Sequence, residues 1–327
     1  MKVRFLVLIG ALIAVVGIGA ALPSVADAQT ANAKAAARTP WGDPDLQGEW
    51  TNTTATRLER PDDLKDKAVL TEEELAEQNQ QAAARVDQRP RAGDTGAYNN
   101  FWLERGSISK RTALVVDPSG KLPALTPQGQ AWKAARDEAK KRSPADGPES
   151  RNLYERCLTR AMPGAMMPGF YNHNYQILQA PGYVAIYVEM IHDVRIIPLD
   201  GRPHVGAGIR QWLGDSRGRW DGHTLVVETT NMKNITASND SSSLVFGTAG
   251  DKARVIERFT RLDADTIDYQ ITVEDPVTYT KTWSASIPMS KLGGQVFEYA
   301  CHEGNYAMPG ILGGQRAQEA AAQKSTR

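Results

Sequence analysis

The sequence predicts a mainly β protein. Its expected core is an antiparallel up-and-down barrel, or a strongly curved sheet, of about eight strands, preceded by an irregular, partly helical N-terminal wrap. Three observations carry this. From Tyr175 onward, β-branched and aromatic residues alternate with polar ones at a period of two. Short turn signals separate the runs: Ala180-Pro-Gly182, Asp221-Gly222, Asp263-Ala-Asp265 and Gly293-Gly294. The only two cysteines, Cys157 and Cys301, flank most of the region. Sequential strands with tight connections favour closure, because closure removes exposed edges.

The expected strands are Tyr175–Gln179, Tyr183–Met190, Asp193–Leu199, Thr224–Thr229, Arg254–Thr260, Thr266–Glu274, Thr282–Ile287 and Val296–Cys301. Alternation assigns their faces. Val184, Ile186, Val188 and Met190 share one side, and Tyr187, Glu189, Asp193 and Arg195 the other if the two strands run on without a slip. Ile267, Tyr269, Ile271 and Val273 likewise oppose Asp268, Gln270, Thr272 and Glu274. Each strand has one apolar and one polar side. An apolar core under a polar surface is expected, the alternative being a polar lumen with the N-terminal wrap covering an apolar exterior.

Ahead of the β region the chain divides readily. Lys2 and Arg4 precede the apolar run Phe5 to Leu22, which ends in Val25-Ala-Asp-Ala-Gln29. This is the pattern of a secretory signal peptide over 1–28, cleaved near Ala28-Gln29, and it predicts a periplasmic or secreted protein with no membrane span after cleavage. Residues 29–150 form the wrap. Thr71-Glu-Glu-Glu74 opens a helix to about Gln88 with a capping box, and Thr126-Pro127 opens a second through Lys141. The barrel is expected over 151–312 and a flexible tail over 313–327. In an oxidising compartment Cys157 and Cys301 are expected to be joined.

Lys plus Arg equals Asp plus Glu at 38 each, which argues against nucleic acid or anionic membrane as partner. A small-molecule ligand or substrate is expected instead; nothing in the chain specifies an oligomeric state. His173, His192, His204, His223 and His302 show no metal-ligand spacing, and there is no G-x-G-x-x-G before a helix, no P-loop and no G-x-S-x-G. No cofactor or metal is expected.

Three clusters carry candidate chemistry. Glu189, His192, Asp193 and Arg195 sit within one hairpin-like segment, where a histidine beside carboxylates suits acid–base work and an arginine suits an anionic substrate. Tyr299, His302, Glu303, Asn305 and Tyr306 are fixed by Cys301, and pairing with Cys157 brings Arg156 and Arg160 into the neighbourhood. Trp212, Arg217 and Trp220 combine aromatic rings with a guanidinium, which suits flat ligands; burial of Trp220 is expected. Two functional expectations follow. One is binding of a small, partly apolar or aromatic molecule, with Tyr187, Glu189, Trp212, Arg217, Trp220, Tyr299 and Tyr306 as contacts. The other is a metal-independent lyase, isomerase or hydrolase using His192 or His302 as acid or base, with Asp193, Arg195 and Glu303 assisting. An envelope scaffold docking through residues 40–150 ranks third.

The strings Pro44-Asp-Leu-Gln-Gly-Glu-Trp50, Gly218-Arg-Trp-Asp-Gly-His-Thr-Leu-Val-Val-Glu-Thr-Thr-Asn231, Val255-Ile-Glu-Arg-Phe-Thr-Arg261, Thr272-Val-Glu-Asp-Pro276 and Thr282-Trp283 together resemble a large group of exported bacterial proteins with β-rich, lipocalin-like cores. The resemblance covers most of the chain after the leader. It implies a β-barrel and export, and it implies no reaction, so no catalytic residue is carried over.

Overall fold

Alternating strands need partners on both edges, and in this chain they find them by curling the sheet nearly onto itself. In the computed structural model, residues 37–64, 66–84, 104, 106–142, 145–169, 171–236 and 243–325 are described. The expected signal peptide lies outside them. The strands are β1 (Gly48–Thr51), β2 (Val115–Asp117), β3 (Asn174–Ala180), β4 (Tyr183–Val188), β5 (Asp193–Pro198), β6 (Asp215–Asp221), β7 (Thr224–Thr230), β8 (Arg254–Arg261), β9 (Thr266–Glu274), β10 (Trp283–Ser286) and β11 (Met289–Lys291). The helices are α1 (Glu72–Ala84), α2 (Pro127–Arg142) and α3 (Ala307–Ser325).

The sheet runs β5-β4-β3-β1-β11-β9-β8-β7-β6, with β10 pairing β9 and β2. Every ladder between these strands is antiparallel. The two ends, β5 and β6, lie beside each other without a ladder. Gly218 in β6 permits this approach, because a Cβ there would lie 2.6 Å from Leu199 and 2.8 Å from Ile197. Gly182 and Gly222, at the tips of the β3–β4 and β6–β7 hairpins, adopt φ of 80° and 61°, which a side chain would strain.

The apolar faces point inward. Val184, Ile186, Val188, Ile267, Tyr269, Ile271 and Val273 are all buried in one core, together with Trp50, Phe259 and Trp283. Burying a side chain of this kind contributes about 1.5–3 kcal/mol. The first and third resemblance strings meet here. Trp50 donates from Nε1 to the Leu46 carbonyl at 3.0 Å. Arg261 lies 5.4 Å from the Trp50 ring centre and donates to the Asp45 carbonyl at 3.0 Å.

Several expectations change. The N-terminal segment does not only wrap the barrel, since β1 is inserted between β3 and β11 and β2 joins β10. The stretch 212–222, where no strand is expected, is largely the strand β6, with small Ser216 and Gly218 on its buried side. Val296–Cys301 forms no strand. There the backbone is held by side chains instead, with Phe297 N donating to Glu189 Oε1 at 3.1 Å. Residues placed in a flexible tail are helical to Ser325. Asn305 starts that helix by accepting from Met308 N at 3.2 Å, and Arg316 ties it to the Ala145 carbonyl at 3.2 Å.

The capping box is present: Glu74 N donates to Thr71 Oγ1 at 3.2 Å and Thr71 N to Glu74 Oε2 at 2.8 Å. In α2, Gly129 N donates to Thr126 Oγ1 at 3.0 Å.

Inside the barrel one ion pair crosses the apolar core. Arg195 on β5 donates from Nη1 to Glu257 Oε1 on β8 at 2.9 Å and from Nη2 to Oε2. It also reaches Ser216 on β6 and Thr229 on β7, both at 3.3 Å, while Tyr269 on β9 donates to Glu257 at 3.0 Å. Burial works against the Arg195 charge, but Glu257 more than offsets it, so its pKa rises. The pair thus spans the seam that no ladder closes.

Candidate functional site

The expected Glu189–Arg195 cluster is not assembled. A 3-10 turn at Met190–His192, with left-handed Ile191 (φ 64°) and His192 (φ 45°), separates β4 from β5. It sets Arg195 opposite Ile186, facing the core, instead of beside Tyr187. The two strands do not run on without a slip, which corrects the face assignment for Arg195. Being buried and bound to Glu257, Arg195 is withdrawn from any ligand. His192 is exposed. Asp193 accepts from Thr159 Oγ1 at 3.2 Å, and burial raises its pKa. Glu189 is buried and anchors Asn174 Nδ2 at 2.7 Å as well as Phe297 N. Tyr187 is half-buried, its hydroxyl pKa raised by burial and by Glu189 and Glu298.

The tryptophan-rich stretch also disperses. Trp212 precedes β6 and packs with Leu153, Ala161 and Ile235, with Lys233 Nζ 4.0 Å from its ring centre. Trp220 lies at the other end of the strand, half-buried against the core. Arg217 is spent on Asp215 Oδ1 at 2.7 Å and the Pro203 carbonyl at 3.1 Å.

At the disulfide the sequence expectation finds its setting. Cys157 and Cys301 are bonded, with Cα atoms 5.7 Å apart. His302 and Glu303 face solvent and Tyr306 is 83% exposed, so these three turn away. Asn305 holds the Glu155 carbonyl at 3.1 Å. Tyr299 is half-buried and faces Arg160 closely enough for its hydroxyl to bear on that charge.

Around Arg160 a different cluster forms. The segment 161–167 packs its methionines Met162, Met166 and Met167 into the barrel core, and Tyr175 Oη donates to the Ala165 carbonyl at 3.2 Å. This fixes the chain on either side of Arg160. Its guanidinium carbon lies 5.1 Å from the Tyr154 ring centre and 5.2 Å from that of Phe246. Nη1 donates to His173 Nε2 at 2.6 Å. His173 bonds the Met167 backbone as well. Gly169 is packed so closely on this histidine that a Cβ would fall 1.9 Å from Nε2.

The electrostatics of the cluster are one-sided. Burial lowers the Arg160 pKa, and the groups opposing that shift are the hydroxyls of Tyr154, Tyr175, Tyr171 and Tyr299. Among the described residues no carboxylate pairs with Arg160, and no acceptor takes its Nε or Nη2. Tyr154, Arg160, Tyr171, Phe246 and Tyr299 are each half-buried, which places the cluster at the surface. Such an arrangement offers a guanidinium fork inside an aromatic collar. Left-handed Cys157, Ala161 and Asn172 hold the surrounding backbone in conformations that cost energy, and strain of this kind concentrates at functional sites.

His173 is 1% exposed, and its pKa lies well below the ordinary 6.5, first through burial and then through the Arg160 charge. The folded protein therefore holds neutral His173, and unfolding takes up a proton at mildly acid pH. Stability from this group is complete above about pH 6.5 and is lost as pH falls below it toward the depressed folded value. Urea midpoints measured from pH 7.5 down to 5 should fall in the wild type and fall less in His173→Gln. Equal slopes would contradict the assignment.

Sequence reasoning placed Arg160 near the disulfide but missed Tyr154, His173 and Phe246. No spacing links these residues, and His173 was weighed only as a metal ligand. No family model, no curated protein and no solved structure matches this chain.

Proposed function

We propose that the protein binds a small, partly apolar or aromatic carboxylate at the disulfide-pinned end of its barrel. The observation that carries this reading is the Arg160 guanidinium, collared by aromatic rings yet without a counter-charge among the described residues. A buried or half-buried cation held by neutral groups is unfavourable alone, and a ligand carboxylate relieves it through charge-assisted bonds from Nε and Nη2. Tyr154 and Phe246 supply flat surface for an aromatic body. The barrel interior is a less suitable place, because apolar side chains and the Arg195–Glu257 pair occupy it.

Export fits the reading. The disulfide suits an oxidising compartment, and among the described residues no helix is long and apolar enough to cross a membrane. Binding without turnover is favoured over the acid–base alternative because His192, His302 and Arg195 are not brought together.

Calorimetric titration of the oxidised protein with phenylacetate, 3-phenylpropionate and phenylacetamide tests it. The two acids should bind and the amide should bind more weakly. Arg160→Gln should weaken the acids about 10–100-fold, the worth of a charged hydrogen-bonding group. Unchanged acid affinity in Arg160→Gln would sink the proposal.

A further inference from the structure

A second recess lies beneath α1 and reaches Gly169. It is a cavity of about 580 Å³ walled by α1, residues 54–57, the turn at 61–64 and the return stretch 106–112. This volume is in the range that holds small organic ligands. Its polar lining is mixed in sign: Arg57 and Arg111 against Asp63 and Glu104, with Leu70 and Ile108 among the apolar residues.

The opposite charges do not satisfy one another. Arg111 donates from Nη2 to the Ser286 carbonyl at 2.8 Å, and its Nε is buried without a partner. Among the described residues it joins no ion pair. Burial lowers its pKa, opposed by Asp268 alone. Glu104 accepts from Asn172 N at 3.1 Å, and burial, with the Glu189 charge, raises its pKa despite that bond. Arg111 thus answers to the Ser286 and Asp268 side and Glu104 to the Asn172 and Glu189 side, and neither is the other's partner. A plain anion leaves Glu104 and Asp63 facing it, and a plain cation meets the two guanidiniums. Only a ligand carrying both signs suits both ends.

We propose that this cavity is a binding site for a small zwitterion, an amino acid or dipeptide, whose carboxylate meets Arg111 and whose ammonium group meets Glu104. The claim uses polar groups other than Arg160, although Gly169 in the cavity wall packs on His173 beside that site.

Titration of the full oxidised protein with leucylglycine, N-acetyl-leucylglycine and leucylglycinamide tests it. The free dipeptide should bind at least about tenfold more tightly than either blocked form, a difference of about 1.4 kcal/mol. Arg111→Gln should erase the preference for the free carboxylate, and Glu104→Gln the preference for the free amine. Ala82→Trp, which places an indole in the cavity from α1, should abolish binding of all three. Absence of binding, equal affinity for the three peptides, or wild-type binding by Ala82→Trp would each overturn the proposal.

Discussion

Replacing Glu257 by alanine should cost about 3–5 kcal/mol of stability, because it leaves the Arg195 charge buried without its partner. Arg195 is 3% exposed and Glu257 0%, so solvent cannot substitute for the lost carboxylate. The carboxylate also receives Tyr269, whose hydroxyl is left unsatisfied as well. Removing both charges is a different matter. In the double variant Arg195→Met, Glu257→Met the desolvation cost disappears with the attraction, and stability should return to within about 1–2 kcal/mol of wild type or exceed it. Urea unfolding of the two variants separates a buried-charge penalty from a simple packing loss. A loss under 1 kcal/mol in Glu257→Ala, or a double variant as unstable as the single, would contradict this account.

Removing the disulfide should have an effect of similar size. Cys157 and Cys301 are 144 residues apart in sequence, and freeing a loop of this length is expected to cost about 3–5 kcal/mol through the unfolded state. The bond does more than shorten the unfolded chain. It joins the segment that carries Tyr154 and Arg160 to the one that carries Tyr299, neither of which is held there by a ladder. The paired variant Cys157→Ala, Cys301→Ala should therefore lose both denaturant resistance and phenylacetate affinity. If stability falls while affinity holds at a temperature where the variant is folded, the disulfide serves the fold alone.

The barrel was legible because a period of two survives wherever one strand face meets a core and the other meets water. That held for β4 and β9, whose inward residues are those the alternation selects. It failed where other demands override alternation. β6 carries Ser216 and Gly218 inward, since the seam with β5 admits only small groups there. β1 is four residues long, too short to show a period. The run from Val296 to Cys301 alternates without pairing because the disulfide and Glu189 hold its backbone. Arg195 was assigned to the wrong face by the left-handed turn at Ile191 and His192, which no local pattern announces.

The candidate site was legible only at its covalent anchor. The cysteines named the neighbourhood and placed Arg160 and Tyr299 in it. Tyr154, His173 and Phe246 come from three separate segments that meet around Arg160 only in the folded chain.

The most direct test of the Arg160 assignment is a thermodynamic cycle. Phenylacetate and phenylacetamide are titrated against wild type and Arg160→Gln, and the difference of differences isolates the carboxylate–guanidinium contact. A coupling of about 1.5–3 kcal/mol is predicted, the strength of a charge-assisted bond in a half-buried setting. A coupling indistinguishable from zero, with acid and amide equally affected by the substitution, would contradict the account.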